Sequence, residues 1–487
     1  MNRILKTSLL PLVAALVLAG CASDSNFVPR AAPAAPAAFK EDGDARFAEV
    51  APAESQARGD WWRAFGDPVL DDLVARASAN NTSVQTAAAR VLEARAVLRD
   101  ANAALLPQVG AVAGAQRATI QPGLGAGPGQ AANLGQAGLN ASWEPDVFGK
   151  LGKARDAARL DAQSREALEQ STRLIVQSEV AQAYFDLREL DAERAIVRQT
   201  VAAYQDTLHL TERRYAAGDV AELDLARVQS EVAATDSQAL ALDRERALKE
   251  HALAVLLGEL PTSFSLQETE WAGALPSIPA GVPARVLARR PDVTAAQLAM
   301  QAAEARAGVA RKAWFPDIAL TANGGVASTD LGDLFKWSAR SWGVGALLQL
   351  PVFDGGKRAA GVQSTNAQWD VVAASYREQV LGAFRDVEDQ LSSLRTLSEQ
   401  ARAQKVGVDA SARATALSDT RYRNGLVSQL ELLDARRTEL ANRRAATQVR
   451  GAQYDATIGL IRALGGGWGA ETTAVGTVQS TGAGKRA

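Results

Sequence analysis

Few side chains in this 487-residue sequence could do chemistry, and none is grouped as a catalytic or metal site requires. The two histidines, His209 and His251, each stand alone on a helical tract, without a cysteine or a carboxylate cluster at metal-ligand spacing. The glycine runs GLGAGPGQ and GGVAS lack the lysine and the serine or threonine arrangement of a phosphate-binding loop. We therefore expect no enzyme and no cofactor, and we interpret both glycine runs as loops beside strands.

The composition favours helices and excludes one class of partner. Alanine, arginine, leucine, glutamate and glutamine dominate most of the chain, whereas aromatic residues make up only 5%. The 55 acidic and 53 basic side chains nearly cancel. Because nucleic-acid binding needs a basic surface, we expect no nucleic acid among the partners.

The N-terminus reads as an export signal of 20 residues. Arg3 and Lys6 precede an apolar run, and small residues follow. The segment ends in LAGC, and Cys21 is the only cysteine, so it cannot form an intramolecular disulfide. LAGC resembles the bacterial lipobox, which implies that Cys21 is lipidated and that Ala22 directs sorting to the outer membrane. The alternative is a plain secretion signal with an incidental cysteine.

Two stretches echo each other: RYAAGDVAELDLA from Arg214 and RYRNGLVSQLELLDA from Arg421. Their tyrosines lie 207 residues apart (422 minus 215). Each stretch interrupts a long tract whose apolar residues recur at steps of four and three, the spacing of a coiled-coil seam. We infer that each half of the chain is helix, strand, strand, long helix, turn and return helix, with both turns at the same end of the molecule.

Four segments alternate in the manner of strands with unlike faces: 107–119, 134–148, 317–329 and 341–353. In the last of them one face is largely apolar: Trp342, Val344, Ala346, Leu348 and Leu350. No segment after the signal offers the run of about 20 apolar residues of a membrane helix, so any crossing must be made by strands. Four strands cannot close a barrel, whereas a trimer would supply about 12.

The phrases DWWRAFGDPVLDDLV, ASWEPDVFGKLGKA, LARRPDV and LPVFDGGK, with the two RY..G turns, resemble the outer membrane factor (TolC-like) family from Asp60 to Gly465. The resemblance implies a mixed α and β membrane protein, a homotrimer with a 12-stranded outer-membrane β-barrel that continues into a long periplasmic α-helical barrel. It also implies a periplasmic adaptor protein as partner. The lipobox resembles that of the branch that serves inner-membrane resistance-nodulation-division pumps, which implies a lipid-anchored exit duct for drugs.

The predicted organisation follows the duplication. It comprises a signal peptide at 1–20, a lipidated linker at 21–58, first helices at 59–107, a first strand pair at 108–148, a first long hairpin at 149–258, a connector at 259–291, a second-repeat helix at 292–315, a second strand pair at 316–355, a second long hairpin at 356–464 and a flexible tail at 465–487.

The family resemblance assigns a gate at the second turn. Leu430 and Asp434 lie four residues apart on one helix face, so a trimer would form an apolar ring and an acidic ring. Glu431 is a weaker candidate for a second acidic ring, and Tyr422 matches a tyrosine that helps to hold the inner helices shut. The alternative makes Leu430 a seam leucine and Asp434 a solvated charge. We expect Arg214 and Arg421 to pair with Asp224 or Asp434.

The turns are the predicted docking surface for the adaptor: Gly218, Asp219, Val220, Gly425, Leu426 and Val427. The glycines are explained by the turns alone, so this assignment depends on the resemblance. Two other functions stay open. One is an exit duct for type I protein secretion, and the other is a lipid-anchored periplasmic coiled-coil spacer.

Overall fold

The computed structural model describes residues 36–41, 59–119, 131–271, 273, 275–276, 278 and 283–466. These residues belong to one compact unit, 35–487. Cys21, the predicted signal peptide, the GLGAGPGQ run and the tail beyond residue 466 lie outside the described residues. Among the described helices, none is both long and apolar enough to cross a membrane.

The two halves of the chain repeat the same elements. After a 3₁₀ helix at Trp61–Phe65, the first half has α1 (Pro68–Asn80), α2 (Thr82–Ala103), β1 (Gln108–Thr119), β2 (Ala131–Trp143), α3 (Lys150–Ala216) and α4 (Glu222–Leu256). The second half has α5 (Pro283–Arg289), α6 (Pro291–Lys312), β3 (Asp317–Ser328), β4 (Arg340–Gln349), α7 (Lys357–Arg423) and α8 (Gln429–Ala463). Corresponding helices are equal in length: 22 residues in α2 and α6, 67 in α3 and α7, and 35 in α4 and α8.

Apart from α5, which lies within the predicted connector, the helices agree with the predicted positions to within a few residues, whereas two strands differ. β2 begins at Ala131, three residues before the predicted start. β4 ends at Gln349, short of the predicted 353. Pro351 follows two residues later and has no N–H with which to continue the ladder. GGVAS is also not a loop, because it lies within β3.

The four strands form one antiparallel sheet in chain order, β1-β2-β3-β4. The halves of the chain meet at the β2–β3 pair, where Gly138 is opposite Gly325. A Cβ atom on Gly325 would collide with the carbonyl oxygen of Ala137. Glycine is therefore required here because the two strand backbones approach too closely for any side chain.

The main core lies where α1, the middle of α3 and the end of α8 pack together. Its aromatic rings are in contact: the Phe185 and Tyr454 centroids are 4.4 Å apart, and those of Trp271 and Tyr454 are 5.0 Å apart. Trp271 and Ile278 belong to the segment predicted as a connector, and both are buried. This segment therefore contributes to the core as well as joining the two halves.

Part of the predicted N-terminal linker also packs onto the core. Phe39 is buried, and its ring lies 6.4 Å from that of Phe384 in α7. The backbone N–H groups of Lys40 and Glu41 donate to the carboxylate of Glu388 at 2.7 and 3.0 Å. Residues 36–41 of the predicted linker are therefore held on α7 by one aromatic side chain and two charge-assisted hydrogen bonds.

Candidate gate and docking surface

The first tip, residues 217–221, is a tight turn between α3 and α4. Gly218 has φ +81°, in the left-handed region that glycine tolerates best. The N–H of Asp219 donates to the Arg214 carbonyl at 2.8 Å, and the N–H of Gly218 donates to the Tyr215 carbonyl at 2.9 Å. These two bonds make a Schellman motif, which satisfies the last carbonyls of α3 and reverses the chain.

The second tip, residues 424–428, repeats this geometry between α7 and α8. Gly425 has φ +69°, the Leu426 N–H donates to the Arg421 carbonyl at 2.9 Å, and the Gly425 N–H donates to the Tyr422 carbonyl at 3.0 Å. The echo in the sequence therefore encodes the same C-terminal cap twice. The second tip alone has a side-chain cap at its outgoing helix, where Ser428 Oγ accepts from the Glu431 N–H at 3.4 Å.

The predicted docking residues are arranged alike in the two tips. Four of them, Gly218, Asp219, Gly425 and Leu426, are exposed. The two valines at equivalent positions, Val220 and Val427, are half-buried. Each tip thus has two exposed residues followed by a half-buried valine.

Leu430 and Asp434 share an exposed face of α8, as their spacing predicts. Leu430 is 52% exposed, whereas Leu432 and Leu433 are only 1% and 2% exposed. Leu432 and Leu433 are thus the leucines that pack within the chain, and Leu430 is not one of them. Asp434 and Glu431 are also exposed. The single chain leaves all three candidate gate side chains available to a neighbour or to water.

Tyr422 is buried at the second tip, against α3. Its hydroxyl lies 3.5 Å from Thr211 Oγ1, and Gln429 Nε2 donates to the same oxygen at 3.3 Å. The Arg214 guanidinium lies over the Tyr422 ring, 4.9 Å from its centroid. Tyr422 therefore ties the second hairpin to the first through one hydroxyl contact and one cation–π contact.

The predicted ion pairs across the tips are wrong. Arg421 lies 3.7 Å from Glu431, which is one turn nearer to it along α8 than Asp434. Arg214 lies over the ring of Tyr422, and Asp224 pairs with Arg227 on its own helix at 3.7 Å. Side-chain type and proximity along the chain suggested these pairs, but the packing of the two hairpins directs both arginines elsewhere.

Arg436 is a tip residue that sequence reasoning missed. Its half-buried guanidinium donates to the Ala203 carbonyl at 2.7 Å, to Thr207 Oγ1 at 2.5 Å and to Asp419 at 2.9 Å. It therefore joins α8 to both α3 and α7. Helix periodicity could have pointed to it, because Arg436 follows the buried Leu433 by three residues and so lies on the same face.

Arg194 interrupts the apolar four-three series of α3, yet it is buried there. Its guanidinium contacts Asp243 of α4 and Glu268 of the connector, both at 2.7 Å. A periodicity that counts only apolar side chains cannot detect a charged residue whose partners come from distant parts of the chain.

A second unpredicted group is a set of carboxylates between α3, α4 and α8. Burial, reinforced by the charges of Glu193, Asp186 and Asp455, raises the pKa of Glu189 to about 8. Burial and Asp186 raise the pKa of Asp455 to about 7. Lys249 offsets part of this repulsion through a 2.6 Å bond to Asp186.

The two histidines stand apart from these groups. His209 is exposed on α3, with Nδ1 3.5 Å from Glu212, and His251 is exposed on α4. In the described part of the chain, no set of three or more His, Cys, Asp or Glu side chains is placed to hold a metal ion.

The two halves of the chain, each with one long hairpin, both match the same protein family. The family model described as outer membrane efflux protein matches residues 73–259 and 282–466, once in each half. The chain belongs to this family.

The antibiotic efflux pump outer membrane protein ArpC of Pseudomonas putida is 31% identical over 94% of this chain and 95% of its own length. The cation efflux system protein CusC of Escherichia coli O6:H1 is 30% identical over 94% and 98%. The solved outer-membrane channel OprN covers 92% of this chain and 100% of its own, at 28% identity and a TM-score of 0.84.

These findings confirm the resemblance and the fold class. Members of the outer membrane efflux protein family are trimeric channels in which a β-barrel continues into a long α-helical barrel. The described residues of this chain comprise four strands and two long helical hairpins, which agrees with this architecture. The protein is an outer-membrane channel for efflux. Its family is one of transport ducts and not a class of enzymes.

Proposed function

We propose that this chain forms the exit duct of a tripartite pump, through which drugs or other small toxic compounds pass passively to the outside. An inner-membrane resistance-nodulation-division pump would supply the energy, and a periplasmic adaptor would join that pump to the tips. The observation that carries the proposal is the pair of equal hairpins ending in the same turn. ArpC is named for antibiotics and CusC for cations, which suits a duct whose cargo is chosen by its pump.

Within this duct, the gate consists of rings formed by Leu430 and Asp434 of three subunits. Both side chains are exposed on one face of α8, four residues apart and close to the second tip. Three leucines at a narrow point make an apolar constriction, and three aspartates beside it favour cations. Glu431 adds acidic charge at the same level, and Tyr422 helps to hold the second hairpin against the first.

The adaptor would dock on the two tips. Supporting this are the exposed residues Gly218, Asp219, Gly425 and Leu426, and the equivalent placing of the half-buried Val220 and Val427 after them. Because the turns are alike, a trimer would present six similar docking points. Contacts at these points that are stronger in the open state than in the closed state would shift the gate towards opening.

A lipid anchor on Cys21 would hold the mature N-terminus in the outer membrane. The LAGC motif supports this assignment. Each buried methylene of an acyl chain contributes about 0.8 kcal/mol, so two or more chains give stable attachment.

Single-channel recording in a planar bilayer tests the duct and its gate together. The wild type should give small, cation-preferring currents, and Leu430→Ala combined with Asp434→Asn should enlarge them several-fold and reduce the cation preference. Leu223→Ala, at the equivalent exposed position of the first hairpin, is the matched control and should leave the current unchanged.

Absence of conductance from both wild type and variant would remove the main support for the duct and favour the lipid-anchored spacer. Equal large currents from both would keep the duct and remove the assigned gate.

A further inference from the structure

The internal duplication allows contacts between subunits to be inferred from contacts within one chain. In a trimer, first and second hairpins alternate around the helical barrel. A rotation of the ring by one hairpin superposes α3 on α7 of the same subunit, and α7 on α3 of the next subunit. Because α3 and α7 have equal lengths and begin 207 residues apart (357 minus 150), each residue of α3 is equivalent to the residue of α7 whose number is higher by 207.

A cation–π contact within the chain is one of the links between the two tips. The Arg214 guanidinium of α3 lies 4.9 Å from the Tyr422 ring centroid of α7, and its Nη2 donates to the Arg423 carbonyl at 3.5 Å. This contact leaves Tyr422 only 4% exposed. The residues 207 positions away are Arg421 and Tyr215, so the duplication keeps both members of the pair.

Within the part of the chain that the structure describes, neither Arg421 nor Tyr215 has a comparable contact. The Tyr215 ring is 43% exposed. Arg421 approaches Glu431 at 3.7 Å, and both side chains are about half exposed. An exposed ion pair of this length contributes little and leaves the face of the guanidinium free.

We propose that Arg421 of each subunit stacks on Tyr215 of the partner subunit. Three such contacts would alternate with the three Arg214–Tyr422 contacts, giving six arginine–tyrosine pairs around the inner end of the duct. The inference depends on the proposed gate only for the consequence that these pairs hold the tip closed. The contact itself follows from the trimer and the duplication.

The two kinds of boundary differ in strength. Within the chain, Arg436 joins α8 to α3 through the Ala203 carbonyl and Thr207 Oγ1. The equivalents across the subunit boundary are Gln229 and Ala414, which offer neither the positive charge nor the hydroxyl acceptor. The equivalent positions at the boundary between subunits therefore lack this clamp, whereas the Arg421–Tyr215 pair is retained there. We therefore expect the tip to open first between subunits and not between the two hairpins of one chain.

Cross-linking tests the contact without reference to conduction. Tyr215→Cys combined with Arg421→Cys, treated in membranes with a short bismaleimide, should yield covalent dimers and trimers on denaturing gels. The matched control, Arg214→Cys combined with Tyr422→Cys, should be linked within one chain and run as a monomer. Each single-cysteine variant should remain monomeric, and all variants keep Cys21.

If the test pair gives only monomers on the gel while the control pair is linked within the chain, the proposal is overturned.

Conductance provides a second readout. Arg421→Gln and Tyr215→Leu should each raise the open probability at least about tenfold, and their combination should add little, because both remove the same contact. Full additivity would overturn the proposal even if cross-links formed. A protein that cross-links between subunits but never conducts would contradict the proposed duct and leave the contact established.

Discussion

Replacing Glu189 with glutamine should make the protein more stable at alkaline pH. Glu189 lies in the middle of α3 against α8, where Gly451 has no side chain and the carboxylate occupies the space that a Cβ would need. Burial, together with Glu193, Asp186 and Asp455, raises its pKa from 4.5 to about 8. Folding thus favours the protonated form of this carboxyl group.

The direction of the pH dependence follows from the raised pKa. The group's contribution to stability is fully present below about pH 4.5 and is lost as the pH rises through about 8, because the folded protein must then either ionise a half-buried carboxyl or hold its proton. The shift corresponds to at most about 5 kcal/mol. Since Glu189 is partly exposed, solvent screening reduces this to about 1–2 kcal/mol per subunit.

Thermal unfolding of the detergent-solubilised trimer, followed by circular dichroism from pH 5 to pH 9, measures the effect. The Glu189→Gln variant should match the wild type near pH 5 and exceed its Tm by about 1–3 °C at pH 9. Glu179→Gln, an exposed position on the same helix, is the control and should show no such difference. An equal gain at pH 5 and pH 9 would refute the electrostatic reasoning and point to packing instead.

Two further predictions concern the tip and the anchor. Val427→Glu should abolish efflux in a strain that depends on this protein, because it places a charge in the half-buried turn, while trimers persist on native gels. The control Val427→Thr keeps the branched shape and should retain efflux. Efflux by the glutamate variant would contradict the docking assignment. Cys21→Ala should lose incorporation of labelled palmitate yet stay in the membrane fraction, whereas a soluble variant would favour the spacer.

Local patterns in the sequence were enough to predict the helices and their turns. The four-three spacing marked part of α3 and part of α7, which are each 67 residues long, and the two RY..G phrases marked the turns at Gly218 and Gly425, which are Schellman motifs. Both signals act over a few neighbouring residues, so they survive without knowledge of the fold. The strand ends were less certain because small residues such as Gly324 and Gly325 occur both in loops and where two strands approach closely.

Contacts between distant segments could not be obtained in this way. Nothing local to Phe39 indicates that it packs on Phe384, more than 300 residues later. Arg194 only interrupts the apolar series of α3 in the sequence, whereas in the structure its buried guanidinium pairs with Asp243 and Glu268. The gate candidates were placed on one helix face correctly, but which carboxylate Arg421 reaches depended on how the two hairpins lie against each other.

The proposed arginine–tyrosine pairs at the tips require α3 and α7 to be equal in length, so the equal length is not merely a by-product of duplication. One inserted residue in a 67-residue helix would move its tip by about 1.5 Å along the axis and rotate it by about 100°. Arg421 would then no longer occupy the position that Arg214 holds on the equivalent helix. Side chains along the hairpins have diverged, as Arg436 and Gln229 show, yet the lengths have not. If the proposed ring of arginine–tyrosine contacts forms, divergence at fixed length would make the boundary between subunits weaker than the boundary between the two hairpins of one chain. The tip would then open between subunits while each subunit's hairpins stay joined.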